Sequence, residues 1–363
     1  MNGQRLELAR KRAGYSLRGL SEALGGEPSH QAIRKYERGE MSPSSGVLVA
    51  MARTLGVSVD FLMSDEVRSL EGVEFRKLSI SSAKDRARVE AEVMDQVDRY
   101  LIVEEILGLN SAHWDPPVAM ERLASEDAAE ELADRVRNSW DLGHDPIPNL
   151  TELLEEHGLK VFVVPLPAAV SGLTCWVARD RGERLPVIVV NRGHGLERRR
   201  FTLAHELGHR LIDLDSAVKV ERAANRFAGA FLVPGRHLRD RVSVLGSVRR
   251  LVSPAEIMRL KRLYRVSAAA MLMRLGQIEV LSESAVRYAF QTFARGWRKE
   301  EPNPLESEGI PLRELPKRFE QLCYWALAER LIVPSRAAEL LGVSMKRIEE
   351  ALKGPGDAHA DHR

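Results

Sequence analysis

The chain has 363 residues, 44% hydrophobic and 29% charged, with a net charge of +2 at neutral pH. That length allows two or three domains and the apolar share excludes wholesale disorder, while so small a net charge speaks neither for nor against nucleic acid. No apolar run approaches the roughly 20 residues of a spanning helix, and the start MNGQRLELARKRAG lacks a signal-peptide core, so a cytoplasmic protein without membrane contact is expected.

Residues 4–62 divide into five short helical segments punctuated by Gly, Ser and Pro. QRLELARKRAG ends at Gly14, and Ser16 caps LRGLSEALG. A third helix runs from about Ser29 to Arg38, and PSSGVLVAMARTLG and VDFLM complete the set. Two helices joined by a Gly-containing turn suit a major-groove reader. On the second of them Ile33 and Tyr36 face inward, while Ser29, His30, Gln31 and Arg34 face outward with groups suited to base edges. Lys35, Arg38 and Arg10 to Arg12 are placed to meet phosphates, and nine basic against six acidic residues give residues 1–63 a balance of +3. The phrase QAIRKYERGE, followed by LGVSVDFL, closely resembles the lambda-repressor-like (XRE/Cro-type) helix-turn-helix family. The resemblance implies a five-helix fold and a double-stranded DNA operator, read by a homodimer. Two departures are visible: Leu17 stands where many members place a Gln, and the turn LGGEPSH is about two residues longer than usual.

Residues 64–82 read as a polar connector. From about 84 to 108 Val89, Val93, Val97, Tyr100 and Leu101 recur at helical spacing, until Pro116 and Pro117 break the region. Helices follow over about 126–140 and 150–157, the second ended by Gly158. KVFVVPL, CWVAR and LPVIVVN are three Val-rich strands, the small sheet of an α+β layout. LPVIVVN is expected at the sheet edge, where an extended peptide would pair. The two cysteines, Cys175 and Cys323, offer neither a disulfide framework nor paired metal-binding spacing.

Next comes HELGH. His205 and His209 lie one turn apart on one helix face, so both imidazoles can reach one cation, and Glu206 is placed to take the proton of an attacking water. Phe201, Ala204, Leu207, Leu211 and Ile212 form the buried stripe of this helix, and Gly208 leaves room for a neighbour. A catalytic zinc needs a third protein ligand. Asp213, Asp215 and Glu221 are the candidates, and Glu221 is favoured because it opens ERAANRFAGAFLVP on the same face as Ala224, Asn225 and Ala228. A solvated His pair or a structural metal are the competing readings, and His, His and Glu would accept Zn2+ or Mn2+. For a group to steady an oxyanion, Arg192, His194, Arg200 and His237 are near, but no spacing singles one out. RRRFTLAHELGH followed by ERAANRFAGAFLVP resembles the ImmA/IrrE-type, gluzincin-like zinc metallopeptidases, as do the lead-in phrases DPIPNLTELLEEHGLKVFVV and LPVIVVN, over about residues 125–280. The resemblance implies His205, His209 and Glu221 as zinc ligands, Glu206 as general base, and a narrow substrate range, often a helix-turn-helix repressor cut at one site.

Residues 253–275 continue that domain, and 296–311 form a Pro- and charge-rich linker. SRAAELLGVSMKRIEEAL reads as a helical cap or oligomerisation element, with a second helix-turn-helix as the alternative, and Trp297 and Trp325 as core or interface residues. The expected fold is therefore mostly α with a small β-sheet: a five-helix lambda-repressor-like domain over 1–66, a helical linker over 67–124, an α+β metallopeptidase domain over 125–280, a helical region over 281–352 and a disordered tail over 353–363. The expected function is a DNA-binding regulator whose zinc-dependent peptidase domain cuts a specific protein: a repressor, an antitoxin or itself, the partner being encoded by a neighbouring gene. The alternative is a repressor or antitoxin whose peptidase-like domain senses a ligand or partner with little or no proteolysis.

Overall fold

The computed structural model describes residues 1–63, 67–71, 83–109, 114–179, 184–243, 253–308 and 314–353. All of the expected tail but Lys353, and most of the connector 64–82, lie outside these residues. The fold is mostly α with a small sheet. The first five helices are α1 (Gly3–Ala13), α2 (Leu17–Ala23), α3 (His30–Glu37), α4 (Ser45–Leu55) and α5 (Val59–Met63). Ser16, Ser29 and Ser44 cap α2, α3 and α4 by accepting from the amides of Gly19, Ala32 and Val47, which otherwise have no helical partner. Gly14 and Gly56 close α1 and α4 in the left-handed conformation that glycine adopts without a steric cost.

There follow strand β1 (Val67–Glu71), the long helix α6 (Ala83–Ile106), α7 (Glu126–Ser139), α8 (Leu150–Glu156), and strands β2 (Lys160–Val164), β3 (Gly172–Arg179) and β4 (Arg184–Asn191). Then come α9 (Leu196–Leu211), α10 (Val220–Leu232), α11 (Gly235–Ser243), α12 (Pro254–Tyr264), α13 (Ala268–Gln277) and α14 (Glu283–Gln291). After a 3₁₀ turn at Leu305–Glu308 come α15 (Arg318–Ala328), α16 (Pro334–Leu341) and α17 (Met345–Leu352), the last of the described elements. Among the described residues no helix is long and apolar enough to cross a membrane.

The four strands lie in the order β1-β3-β4-β2, with β2 parallel to β4 and the other pairs antiparallel. LPVIVVN, expected at the edge, is instead internal: β4 is paired on both sides, with β3 and with β2. Its burial along nearly its whole length explains the unbroken apolar run that suggested a strand. The edges are β2 and β1, the latter supplied from the segment between the first five helices and the rest.

Alternation along the strands sends side chains to two separate cores. Val161, Ile188 and Val190 join α7 to α10, α12 and α13 in one. Phe162, Val164, Leu173, Cys175, Val177, Val187 and Val189 join the other, with α6, the N-terminal helices and α15 to α17. Helix α6 is the wall between the N-terminal module and the sheet: Val89, Val93, Val97, Tyr100 and Leu101 are all buried there. Two buried ion pairs staple it at both sides. Asp98 takes the Arg5 guanidinium of α1, and Glu104 takes Lys160 of β2, whose ammonium also sits 4.0 Å from the Tyr100 ring centroid. Helix α16 reaches the same assembly through Arg336, which donates to Asp60 of α5 at 2.7 Å.

Candidate metal centre

Helix α9 crosses the sheet above β3. Thr202, Glu206 and Arg210 follow one another at intervals of four and so share a ridge. Gly172 of β3 admits that ridge, since a Cβ there would meet the Thr202 methyl at 2.5 Å. Farther along, Arg210 donates to the carbonyl of Cys175 and, at 2.9 Å, to that of Val187, with its guanidinium 4.3 Å from the Trp176 ring centroid. Glu206, between Thr202 and Arg210, is thereby set over β3. On the far side of α9, Gly208 permits close approach of α10: a Cβ there would meet Phe227 at 3.0 Å and the Ala224 Cα at 3.4 Å. The small buried residues Ala223, Ala224 and Ala228 complete that contact.

This approach carries Glu221, in the first turn of α10, across to the two histidines. His205 Nε2 and His209 Nε2 are 3.0 Å apart, and the Glu221 carboxylate lies 3.4 Å from the first and 3.5 Å from the second. One ligand atom from each of the three falls within 4.8 Å of the others. Two nitrogens on a tetrahedral zinc stand roughly 3.3 Å apart, given bonds of about 2.05 Å, so the donor set and its spacing fit a small divalent cation. The His205 ring is held between Phe201 (centroids 6.5 Å apart) and His209 (4.6 Å). The Glu221 side chain is 68% exposed, so the centre opens to solvent on that side.

Glu206 is 8% exposed beside these donors. Burial pushes its carboxyl up to about 7, helped by Glu221 and opposed by His205 and Arg210. A divalent cation among the three donors would draw it back down, because it favours a neighbouring carboxylate. Asp213 and Asp215, the other candidate ligands, are engaged elsewhere: Arg122 donates to them at 3.2 and 2.8 Å. The Asp215 amide and Arg122 hold the Asp213 carboxyl below its usual range.

The four groups considered for an oxyanion all have other partners. Arg200 is buried against Glu314 and donates to the Ile147 carbonyl at 2.9 Å, and Arg192 donates to the Val163 carbonyl at 3.1 Å. His194 meets the Ala168 carbonyl at 3.2 Å, and His237 meets the Tyr264 hydroxyl at 3.2 Å. Arg210 and Trp176 are the residues that sequence reasoning missed. The available signal was the interval of four from Glu206 to Arg210; the strand beneath it needed the tertiary fold.

In the N-terminal module Ile33 and Tyr36 are buried, Gln31, Arg34, Lys35 and Arg38 are exposed and His30 is half-buried. The Ser29 hydroxyl is spent as the α3 cap. Arg10 and Arg12 correct the phosphate expectation. Arg10 is buried against Glu37 and donates to the Tyr15 carbonyl at 2.9 Å, and Arg12 donates to the carbonyls of Leu55 and Gly56. Both arginines hold the module together, and Lys11 stays on the surface, paired with Glu7. The long turn of LGGEPSH is made by Gly25 and Gly26 in succession, at φ +82° and +89°, values that favour glycine.

Residues 6–62 match the family model of the helix-turn-helix, and residues 154–276 match that of the IrrE N-terminal-like domain of the M78 peptidases. The chain is a fusion of an XRE-type helix-turn-helix with an IrrE-like M78 domain. No curated protein matches it. The two histidines and Glu221 fall inside the matched M78 segment, and α1 to α5 span the matched helix-turn-helix.

Proposed function

We propose that this fusion is a DNA-binding regulator whose M78 domain cuts a specific protein with a divalent metal, zinc in the first instance and manganese as the substitute. The observation that carries the reading is a single arrangement: three converging donors with a buried carboxylate, Glu206, on the same helix and over a strand. Bound by His205, His209 and Glu221, the metal would supply a Lewis acid for the scissile carbonyl and lower the pKa of the attacking water. Glu206 takes the proton from that water at a carboxylate oxygen and passes it to the leaving amine. Gln31, Arg34, Lys35 and Arg38, with His30, meet an operator in the major groove, and a homodimer would read two half-sites. A protein encoded by a neighbouring gene is the first substrate to try, with the chain acting in the cytoplasm.

The test is co-expression with the neighbouring gene product. Chelator-sensitive cleavage is expected, and Glu206→Gln should lower it by about 10²–10⁴-fold while metal content and DNA binding persist. Undiminished cleavage by that variant would overturn the mechanism. A second reading, a sensor module with little proteolysis, draws support from the core that the N-terminal module shares with one face of the sheet. Metal-dependent change in operator affinity without any cleavage would favour it.

A further inference from the structure

Glu206 sits over the stretch of β3 that runs from Gly172, beneath Thr202, to Cys175, whose carbonyl binds Arg210. An extended peptide presented to Glu206 would therefore pair with β3. The inner edge of β3 is taken by β4 along its whole length, from Gly172↔Val190 to Ala178↔Arg184. The outer edge is shared: β1 pairs over Trp176 to Arg179, and among the described residues nothing pairs with that edge over Gly172 to Cys175. A peptide antiparallel to β3 would run along the line of β1 and, from its N-terminal side, abut Glu71.

Resting on the peptidase reading above, we propose that β1 is a displaceable strap on the outer edge of β3: a substrate strand that lies over Gly172 to Cys175 and extends N-terminally past that stretch must take the backbone groups of Trp176 to Arg179 that β1 holds. Several features make β1 the weaker of the two edge strands. Both are five residues long, but the β1 ladder is interrupted by a register shift between Val67 and Ser69. Its described side chains, Leu70 and Glu71, are only half-buried, whereas β2 is buried at four of its five residues and pairs in unbroken register with β4. The strap is also tethered to the operator-reading module, since it begins four positions after α5 ends. Release of β1 frees Trp176 to Arg179 for the N-terminal residues of the substrate strand.

Ser69 and Ala178 are directly opposed, so Ser69→Cys with Ala178→Cys places two cysteines at disulfide spacing across the ladder. The full chain, loaded with zinc, is assayed on a pool of quenched fluorescent decapeptides. Oxidation of the double variant should cut the cleavage rate at least tenfold, with recovery on reduction, and Leu70→Pro should raise it at least threefold. Equal rates for oxidised and reduced forms would overturn the strap. Amide hydrogen exchange in the Glu206→Gln chain provides a readout that needs no activity: β1 should exchange at least tenfold faster than β2, and equal protection would overturn the proposal. If no form cleaves while β1 still exchanges fast, the peptidase reading fails and the strap stands on the exchange alone.

Discussion

The two faces of the sheet are covered in opposite ways. The face with Val161, Ile188 and Val190 packs on helices that follow one another in the chain, α7 to α10, α12 and α13, and the candidate metal donors stand on two of these, α9 and α10. The face with Phe162, Leu173 and Val187 shares its core with α6, on which α1 to α5 pack from the far side, and with α15 to α17, pieces from both ends of the sequence. The first core is built from the M78 segment and the helices that flank it. The second ties the helix-turn-helix module to the same sheet, so the module is not a bead on a loose tether. Buried ion pairs pin both cores, Arg5–Asp98 and Lys160–Glu104 in the second and Arg200–Glu314 and Lys261–Glu197 in the first. Such pairs are costly to break because a lone buried charge remains.

That contrast can be broken from either side. Asp98→Ala leaves Arg5 buried without its carboxylate and should cost about 3–5 kcal/mol in denaturant unfolding. If the shared core is real, operator affinity should fall with it while metal content is retained. An unchanged midpoint would mean that the N-terminal module stands apart. Zinc acts on the other face: at a free concentration of 100 times Kd it should add about 2.7 kcal/mol to the stability of the M78 core. One calorimetric transition that shifts as a whole would mean that the two cores unfold together; a shift in only one of two would separate them. Gly208→Ala forces α9 and α10 apart against Phe227 and the Ala224 backbone and should cost roughly 1–3 kcal/mol. It should also weaken metal binding, through displaced Glu221, and unchanged zinc affinity would contradict the role given to this close approach.

The smallest effect concerns pH. Burial pushes the Glu155 carboxyl up to about 7, against bonds from the Arg318 and Lys317 backbones. Between its ordinary value near 4.5 and 7 the unfolded chain has lost this proton while the folded chain keeps it, so stability declines as pH rises through that window. Glu155→Gln should flatten that decline in midpoints measured between pH 5 and 8, and an unaltered slope would assign it to other groups.

The elements were legible because their signals are local. Ser16, Ser29 and Ser44 stand where caps are needed, and the intervals of three and four from Val89 to Leu101 mark α6 without reference to any partner. The candidate histidine pair was legible for the same reason, since His205 and His209 are one turn apart on a single helix. Choosing Glu221 over Asp213 and Asp215 depended on its helix, and the tertiary contact at Gly208 brings it to the histidines.

What composition and spacing could not decide is where distant pieces meet. Arg10 and Arg12 look like phosphate contacts until Glu37 and the α4 carboxyl end are seen beside them. LPVIVVN looks like an edge strand until β2 and β3 are both found paired with it. Period and capping are properties of neighbouring residues, and the chain carries them at every position. Pairing, burial of a charge and the choice of sheet edge are properties of segments up to hundreds of residues apart, decided only when hydrophobic burial on both faces of the sheet is satisfied at once.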